Sequence, residues 1–145
     1  MPLQTCNRTD LAVDQLETAI SIFLERRSFA AAITLASAAE LVLGQAVRRT
    51  GKQAVLDWSF DASDVVHTAL YGENLKRKEF ADAQNRVSKA LRHFDAMDSP
   101  HFEADLEEAA CWMLVRACEN AQRLGRDVHG FHEFNEWFME HIVGV

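Results

Sequence analysis

An arginine and a histidine near the middle of the chain are the residues best suited to chemistry. Arg86 and His93 lie in a short basic stretch that also contains Lys89 and Arg92. A guanidinium can hold a phosphate group through two parallel hydrogen bonds, and an imidazole can exchange a proton near neutral pH. We therefore take Arg86 and His93 as candidate catalytic residues for RNA cleavage, and Lys89 and Arg92 as candidate substrate-binding residues. The alternative is that this stretch is the solvated flank of a helix.

The charge of this region is opposite in sign to that of the rest of the chain. Residues 76–93 contain six basic and two acidic residues, a local net charge of +4, whereas the whole chain carries −7. A basic segment on an acidic body favours an anion at one place and disfavours nonspecific binding of nucleic acid over the whole surface. Ion pairs between successive helical turns explain the same charges without a ligand.

The spacing of apolar residues predicts one helix from about residue 76 to 94. Its predicted core stripe consists of Phe80, Gln84, Val87, Leu91 and Phe94. On such a helix Arg86 and His93 lie two turns apart, about 20° from each other and roughly 120° from the stripe. We expect both side chains on one flank of the helix, with Lys89 on the same side.

The length and composition of the chain predict a single all-α domain spanning residues 1–145. Prolines and glycines are few, with 2 and 6 respectively, and apolar residues do not alternate as in strands. We expect a bundle of about five to six helices. The predicted helices span about 10–26, 29–49, 61–71, 76–94, 106–124 and 130–143, with a short helix possible near 55–60.

Polar residues mark where three of these helices should begin. Thr9 or Asp10 can cap the first helix, and Ser28 can cap the second. Asp105 and Glu108 form a D-x-x-E capping box ahead of the helix that starts at about residue 106.

The second predicted helix carries one charge where its spacing predicts burial. Glu40 lies on the same stripe as Ile33, Ala36, Leu43 and Val47. Burial of an isolated carboxylate is very costly, so it needs a cationic partner or a proton. Glu40 is therefore a candidate supporting residue that orients Arg86, Arg92 or His93, unless it reaches solvent where helices cross.

Other residue patterns predict neither a metal site nor a cofactor. His132 and Glu133 resemble the start of an HExxH motif, but its second histidine is missing. Cys111 and Cys118 have no basic neighbour spaced to activate them, so we expect small, reduced core residues. The N-terminus lacks the pattern of a secretory leader, and no membrane span is predicted, which indicates a cytoplasmic protein.

The order of these elements resembles the HEPN superfamily of small bacterial helical domains. The resemblance rests on an amphipathic helix, the alanine-rich stretch 31–41 and a later helix that ends Ala90-Leu91-Arg92-His93-Phe94. It covers about residues 10–125 and leaves 130–143 as an additional amphipathic helix. HEPN ribonucleases carry an arginine, usually followed by a polar residue, and then a histidine four to six residues beyond it. Arg86 and His93 resemble the long form of this motif, with Val87 at the polar position.

The resemblance implies two alternative functions. Similar enzymes cleave RNA without a metal, and they bring two motifs together in a homodimer. His93 would then act as acid or base for attack by a ribose 2′-hydroxyl, while Arg86 would hold the phosphate. The other function, favoured by Val87 and the acidic body, is a noncatalytic dimeric module that binds RNA or a nucleotide. An antitoxin or a nucleotidyltransferase is the protein partner that the resemblance implies, and a toxin or defence role would suit the enzyme.

Overall fold

All 145 residues are described by the computed structural model, which contains helices and no strands. The predicted all-α class is confirmed. The seven α-helices are α1 (Arg8–Leu24), α2 (Phe29–Arg49), α3 (Val55–Tyr71), α4 (Arg77–Gln84), α5 (Arg86–Arg92), α6 (Leu106–Arg123) and α7 (Phe131–Phe138). A π-helical turn, Met139–Val143, follows α7.

Helices α1, α2 and α6 form the hydrophobic core, with α2 packed between the other two. The largest of its buried side chains include Leu16, Phe23, Leu43 and Leu114. Fully buried alanines on α2 and α6 allow the two backbones to approach closely. These alanines are Ala32, Ala36, Ala39, Ala110 and Ala117.

Helix α2 is the central helix, as its composition predicts. It is the one helix long and apolar enough to cross a membrane by length and composition, with a mean hydropathy of 1.6. Here its apolar surface packs against α1 and α6. The core helix of a soluble protein has the same properties, because it is apolar on nearly every side.

Helix α7 closes one side of the core with aromatic rings. The ring centroid of Phe23 lies 5.7 Å from that of Phe134 and 4.8 Å from that of Trp137, both edge-on. Edge-on pairs at these distances add attraction beyond the area they bury.

Two of the three predicted helix starts are confirmed. The Ser28 hydroxyl accepts a hydrogen bond from the Ala31 amide at 3.0 Å, and the Asp105 carboxylate accepts one from the Glu108 amide at 2.9 Å. The predicted cap of α1 is wrong by two or three residues. The side chain of Asn7 caps it instead, by accepting from the Asp10 amide at 3.0 Å.

Helix α3 is one continuous helix, so the predicted division into a short helix near 55–60 and another from 61 to 71 is wrong. Asp61, where the second of these helices should begin, lies in the middle of α3. The Asp61 carboxylate accepts a hydrogen bond from the Gln53 amide group and so is used in a contact outside the helix. Gly72 ends the helix in a left-handed conformation, with φ of 73°.

The predicted helix over 76–94 is broken into α4 and α5. Asn85 separates them with φ of −107° and ψ of 10°, and α5 ends at Arg92, so that His93 is extended. The predicted core stripe is wrong, because none of its five residues is fully buried: Phe80, Val87 and Leu91 are half-buried, Gln84 is exposed and Phe94 is 71% exposed. Ser88 is the one buried residue of α5. We refer to α3, α4 and α5 together as the arm.

Candidate functional site

The structure brings three of the predicted site residues to one open cleft. Arg86, Lys89 and His93 line one side of a cleft of about 480 Å³. The loop after α5 completes the lining with Asp95, Asp98, His101 and Phe102, so the cleft contains two carboxylates as well as its basic residues. Arg92 does not line this cleft. Its Nε instead donates to the Ser88 carbonyl at 3.3 Å, so the structure does not group it with the other three.

Two of these side chains are free to meet a ligand. Arg86 and His93 are both exposed, and neither side chain makes a hydrogen bond or an ion pair within the chain. Lys89 differs, because its Nζ pairs with the Asp82 carboxylate. Lys78 pairs with the same carboxylate at 2.9 Å. Arg86 is therefore the unpaired cation of the cleft.

The two lysines change the acidity of Asp82. Hydrogen bonds from Lys89, the larger cause, and from Lys78 lower the pKa of this carboxyl to about 2. Asp82 is thus ionised at all physiological pH values, and it offsets part of the positive charge that Lys89 would offer to an anion.

A buried ion pair holds the start of α5. Glu40 is 4% exposed and Arg116 is 8% exposed, and the Arg116 Nη2 lies 3.0 Å from the Glu40 Oε1. The Arg116 Nη1 donates to the Asn85 side-chain oxygen at 2.9 Å. Asn85 immediately precedes Arg86, so this chain of contacts fixes the point from which Arg86 extends.

The predicted burial of Glu40 is confirmed, but its partner differs from those expected. The structure pairs it with Arg116 and not with Arg86, Arg92 or His93. The cause is that α2 packs chiefly on α6, whereas α5 lies at the edge of the bundle. The sequence-based interpretation missed Arg116, although a signal was present, since Arg116 interrupts the apolar run in the middle of α6, between Val115 and Ala117.

The ion pair is close in distance but not aligned as a hydrogen bond. The Nη2 and Nε atoms of Arg116 are buried and make no directed hydrogen bond. We interpret the contact with Glu40 as mainly electrostatic, with Asn85 taking the one directed bond. Arg116 also lines a second cavity, of about 260 Å³, between α5 and α6. Arg86 lies at the boundary of this cavity and the open cleft.

Asn120 joins the start of α3 to the core. Its side-chain oxygen accepts from the Val55 amide at 3.0 Å, whereas its Nδ2 is buried without a partner. A Cβ atom at Gly44 would lie 3.3 Å from that Nδ2. The glycine on α2 therefore gives Asn120 the room to reach α3.

The buried cysteines and His132 do not line the open cleft. Burial raises the pKa of Cys111 to about 11 and that of Cys118 to about 12, so neither is a thiolate near neutral pH. His132 lies 3.2 Å from Glu136 on the same helix. No three His, Cys, Asp or Glu side chains form a group that could hold a metal ion.

A comparison of the chain with protein-family models, curated proteins and solved structures finds no match.

Proposed function

We propose that this protein is a noncatalytic, HEPN-like helical module that binds RNA or a nucleotide in the open cleft. The observation that carries the proposal is the unpaired Arg86 beside Lys89 and His93 in one cavity of about 480 Å³. A guanidinium without an internal partner can give both of its parallel donors to a phosphate. His93 and Lys89 add donors to the same side of the ligand.

Aromatic rings in the cleft favour a nucleotide over a bare anion. Phe94 and Phe102 line the cleft along with the basic residues, and both are exposed, at 71% and 45%. Single-stranded nucleic acids bind by stacking bases on such rings while cations hold the backbone. The acidic body of the protein would keep binding local to this face.

Two features favour binding without cleavage. Val87 follows Arg86 and provides no polar atom next to it. The ring of His93 has no hydrogen-bond partner to orient it, whereas catalytic imidazoles are usually held by a second group.

A metal-independent endoribonuclease remains the second candidate, and one observation favours it. His93 and His101 line the same cleft, so one imidazole can take the proton of a ribose 2′-hydroxyl while the other gives a proton to the leaving 5′-oxygen. Arg86 would offset the charge that develops on the phosphate between them. Such an enzyme would suit a toxin or defence role.

The proposal extends to partners and location. We propose that the module acts as a homodimer in the cytoplasm. A partner protein, such as an antitoxin or a nucleotidyltransferase, belongs to the same proposal. These features come from the resemblance to HEPN domains and from composition.

The binding claim is tested with a fluorescently labelled single-stranded RNA of about a dozen nucleotides at low salt. Fluorescence anisotropy should show binding by the wild type. Arg86→Ala should weaken it by about tenfold or more, because a charge-assisted hydrogen bond contributes roughly 1.5–3 kcal/mol. Arg27→Ala is the matched control, since Arg27 is exposed but lies far from the cleft in the chain, and it should bind as the wild type does.

Electrophoresis of the same RNA after incubation with a chelator separates the two candidates. Intact RNA with the wild type supports the binding module. Cleavage by the wild type that is lost in His93→Ala would replace it with the ribonuclease. Absence of RNA and nucleotide binding, or equal binding by Arg86→Ala, would contradict both.

A further inference from the structure

Most apolar residues of helix α3 are exposed to solvent. Its inner face carries Phe60 but also Asp64, whose carboxylate accepts from the Leu75 amide at 2.7 Å, and His67, whose ring bonds to the Glu73 carbonyl at 2.8 Å. The outer face carries most of the remaining apolar residues and contacts no other helix of the chain. This α3 face consists of Trp58, Ala62, Val65, Val66, Ala69 and Leu70.

The α3 face is strongly exposed, and Ser59 is the polar residue that lies within it. Its six residues lie within about 140° of the helix circumference. Trp58 is 54% exposed, Val65 is 71% exposed and Leu70 is 70% exposed. An amphipathic helix normally turns such a stripe toward a core.

We infer that the α3 face is the surface through which two copies of this chain form an antiparallel dimer. The four residues along its centre alternate in size, in the order Trp58, Ala62, Val65 and Ala69. An antiparallel two-fold axis between residues 63 and 64 places Trp58 opposite the partner's Ala69. The same axis places Ala62 opposite the partner's Val65.

Each large side chain then faces a small one, so the pattern is complementary to itself. A two-fold interface requires this property, because the same surface is used on both subunits. Spacings of four, three and four residues also match the seam of paired helices. A partner of unrelated sequence would not need this symmetry about the middle of the helix.

The charges and the area of the surface agree with this pairing. Asp61 flanks the stripe and comes level with Val66 of the partner subunit, so this register does not set two carboxylates directly opposite each other. The α3 face exposes apolar area on the order of 500 Å², at the upper end of what monomers expose. With a polar rim it approaches the roughly 800 Å² per subunit of a standard interface.

This inference deepens the dimeric module proposed above by naming its surface, although its residues are separate from the cleft. Its test measures mass and not RNA binding, so the two proposals can fail independently. The wild type should sediment at about twice its chain mass of 16.4 kDa at micromolar concentration. Val65→Asp should sediment as a folded monomer.

Leu41→Asp is the matched control, because Leu41 is an apolar residue of α2 that is 51% exposed outside the α3 face. This variant should remain dimeric. Circular dichroism should give all three proteins the same helix content and similar melting profiles. Should Val65→Asp fail to fold, Trp58→Ala provides a milder change and should also dissociate the dimer.

A pair of size exchanges tests the register. Trp58→Ala should weaken the dimer at least tenfold, and the double variant Trp58→Ala/Ala69→Trp should recover most of the loss, because large again faces small. A wild type that stays monomeric overturns the proposal and leaves the α3 face to another protein or to lipid. A Val65→Asp variant that remains dimeric overturns it as well, since the dimer would then use another surface.

Discussion

The core and the arm of this protein are held together by different forces. Helices α1, α2 and α6 contain most of the buried residues, and their contacts are mainly apolar. The three helices of the arm contain only three buried residues, Val55, Phe60 and Ser88. Surface ion pairs join the arm to α2, and Val87 and Leu91 of α5 pack against the core as partly buried side chains.

The ion pairs of the arm use Asp57 and Asp61 of α3 and Asp82 of α4. Asp57 lies 2.7 Å from the Arg48 Nε and 3.6 Å from the Arg77 Nη1. The Arg77 guanidinium also lies over the Phe60 ring, 4.2 Å from its centroid. Exposed pairs of this kind contribute little to stability, so the arm can change its contacts at small cost. Most of the stability therefore comes from the core, while the open cleft and the α3 face belong to the arm.

The largest effect expected from this comparison is the loss of a core ring. Phe23→Ala should lower the free energy of unfolding by about 3–5 kcal/mol, because it leaves a cavity among packed aromatic residues. Phe94→Ala, in the exposed position after the arm, should change it by no more than about 0.5 kcal/mol. Chemical denaturation of both variants measures the difference. Similar losses in the two would remove the distinction between core and arm.

The second-largest effect is expected from the buried ion pair between Glu40 and Arg116, which reaches the start of α5 through Asn85. Glu40→Gln should lower the free energy of unfolding by about 1–3 kcal/mol, because it leaves the buried Arg116 without its counter-charge. Glu73→Gln, at an exposed position, is the control and should be nearly neutral. An unchanged melting temperature in Glu40→Gln would mean that Glu40 is solvated.

Two cysteines of the core, Cys111 and Cys118, are buried, whereas Cys6 is exposed. A thiol reagent at neutral pH should label Cys6 in the native protein, and it should label Cys111 and Cys118 only after unfolding. Because burial raises their folded pKa values to about 11 and about 12, the protonated form is favoured in the fold. The resulting contribution to the free energy of unfolding is fully present below the unfolded thiol pKa of about 8.5. It is lost as the pH rises toward the folded pKa values.

The melting temperature should therefore fall as the pH rises above about 8.5. Replacing both buried cysteines with alanine should reduce that fall. Rapid native labelling of all three thiols would contradict the packing of α6.

The smallest expected effect is the titration of Asp82 within the arm. Its carboxyl carbon should titrate with a midpoint near pH 2, as followed by nuclear magnetic resonance. Because the folded pKa is lowered, the stabilising contribution is present above the unfolded value of about 3.9 and is lost as the pH falls through about 2. Lys89→Ala should move the midpoint upward, whereas Lys76→Ala should leave it unchanged. A midpoint near 3.9 in the wild type would mean that the pairs with Lys89 and Lys78 do not form.

Sequence patterns predict the core far better than the arm. The capped helices α2 and α6 follow from apolar spacing, because each buries an apolar stripe against its neighbours. Glu40 could likewise be predicted as buried, since it interrupts a continuous apolar stripe. Its partner on a distant helix could not be fixed by periodicity, because the choice depends on which helices pack together.

The arm departs from simple patterns for identifiable reasons. At the break, Asn85 accepts a hydrogen bond from Arg116, which is 31 residues away in the chain and which local spacing does not predict. Helix α3 carries its apolar stripe outward, so the usual rule that such stripes face the core fails there. Arg86 and His93 reach one cleft through α5 and the loop that follows it, and not through the long helix predicted for them.

We propose that ligands bind to the arm and the loop that follows it, while the core serves as a scaffold. Chemical-shift mapping with a short single-stranded RNA tests this most directly. Saturable shifts should appear at Arg86, Lys89 and His93 and in the loop through Phe102, with little change in α1, α2 and α6. Absence of saturable shifts, or shifts centred on the core helices, would contradict the account.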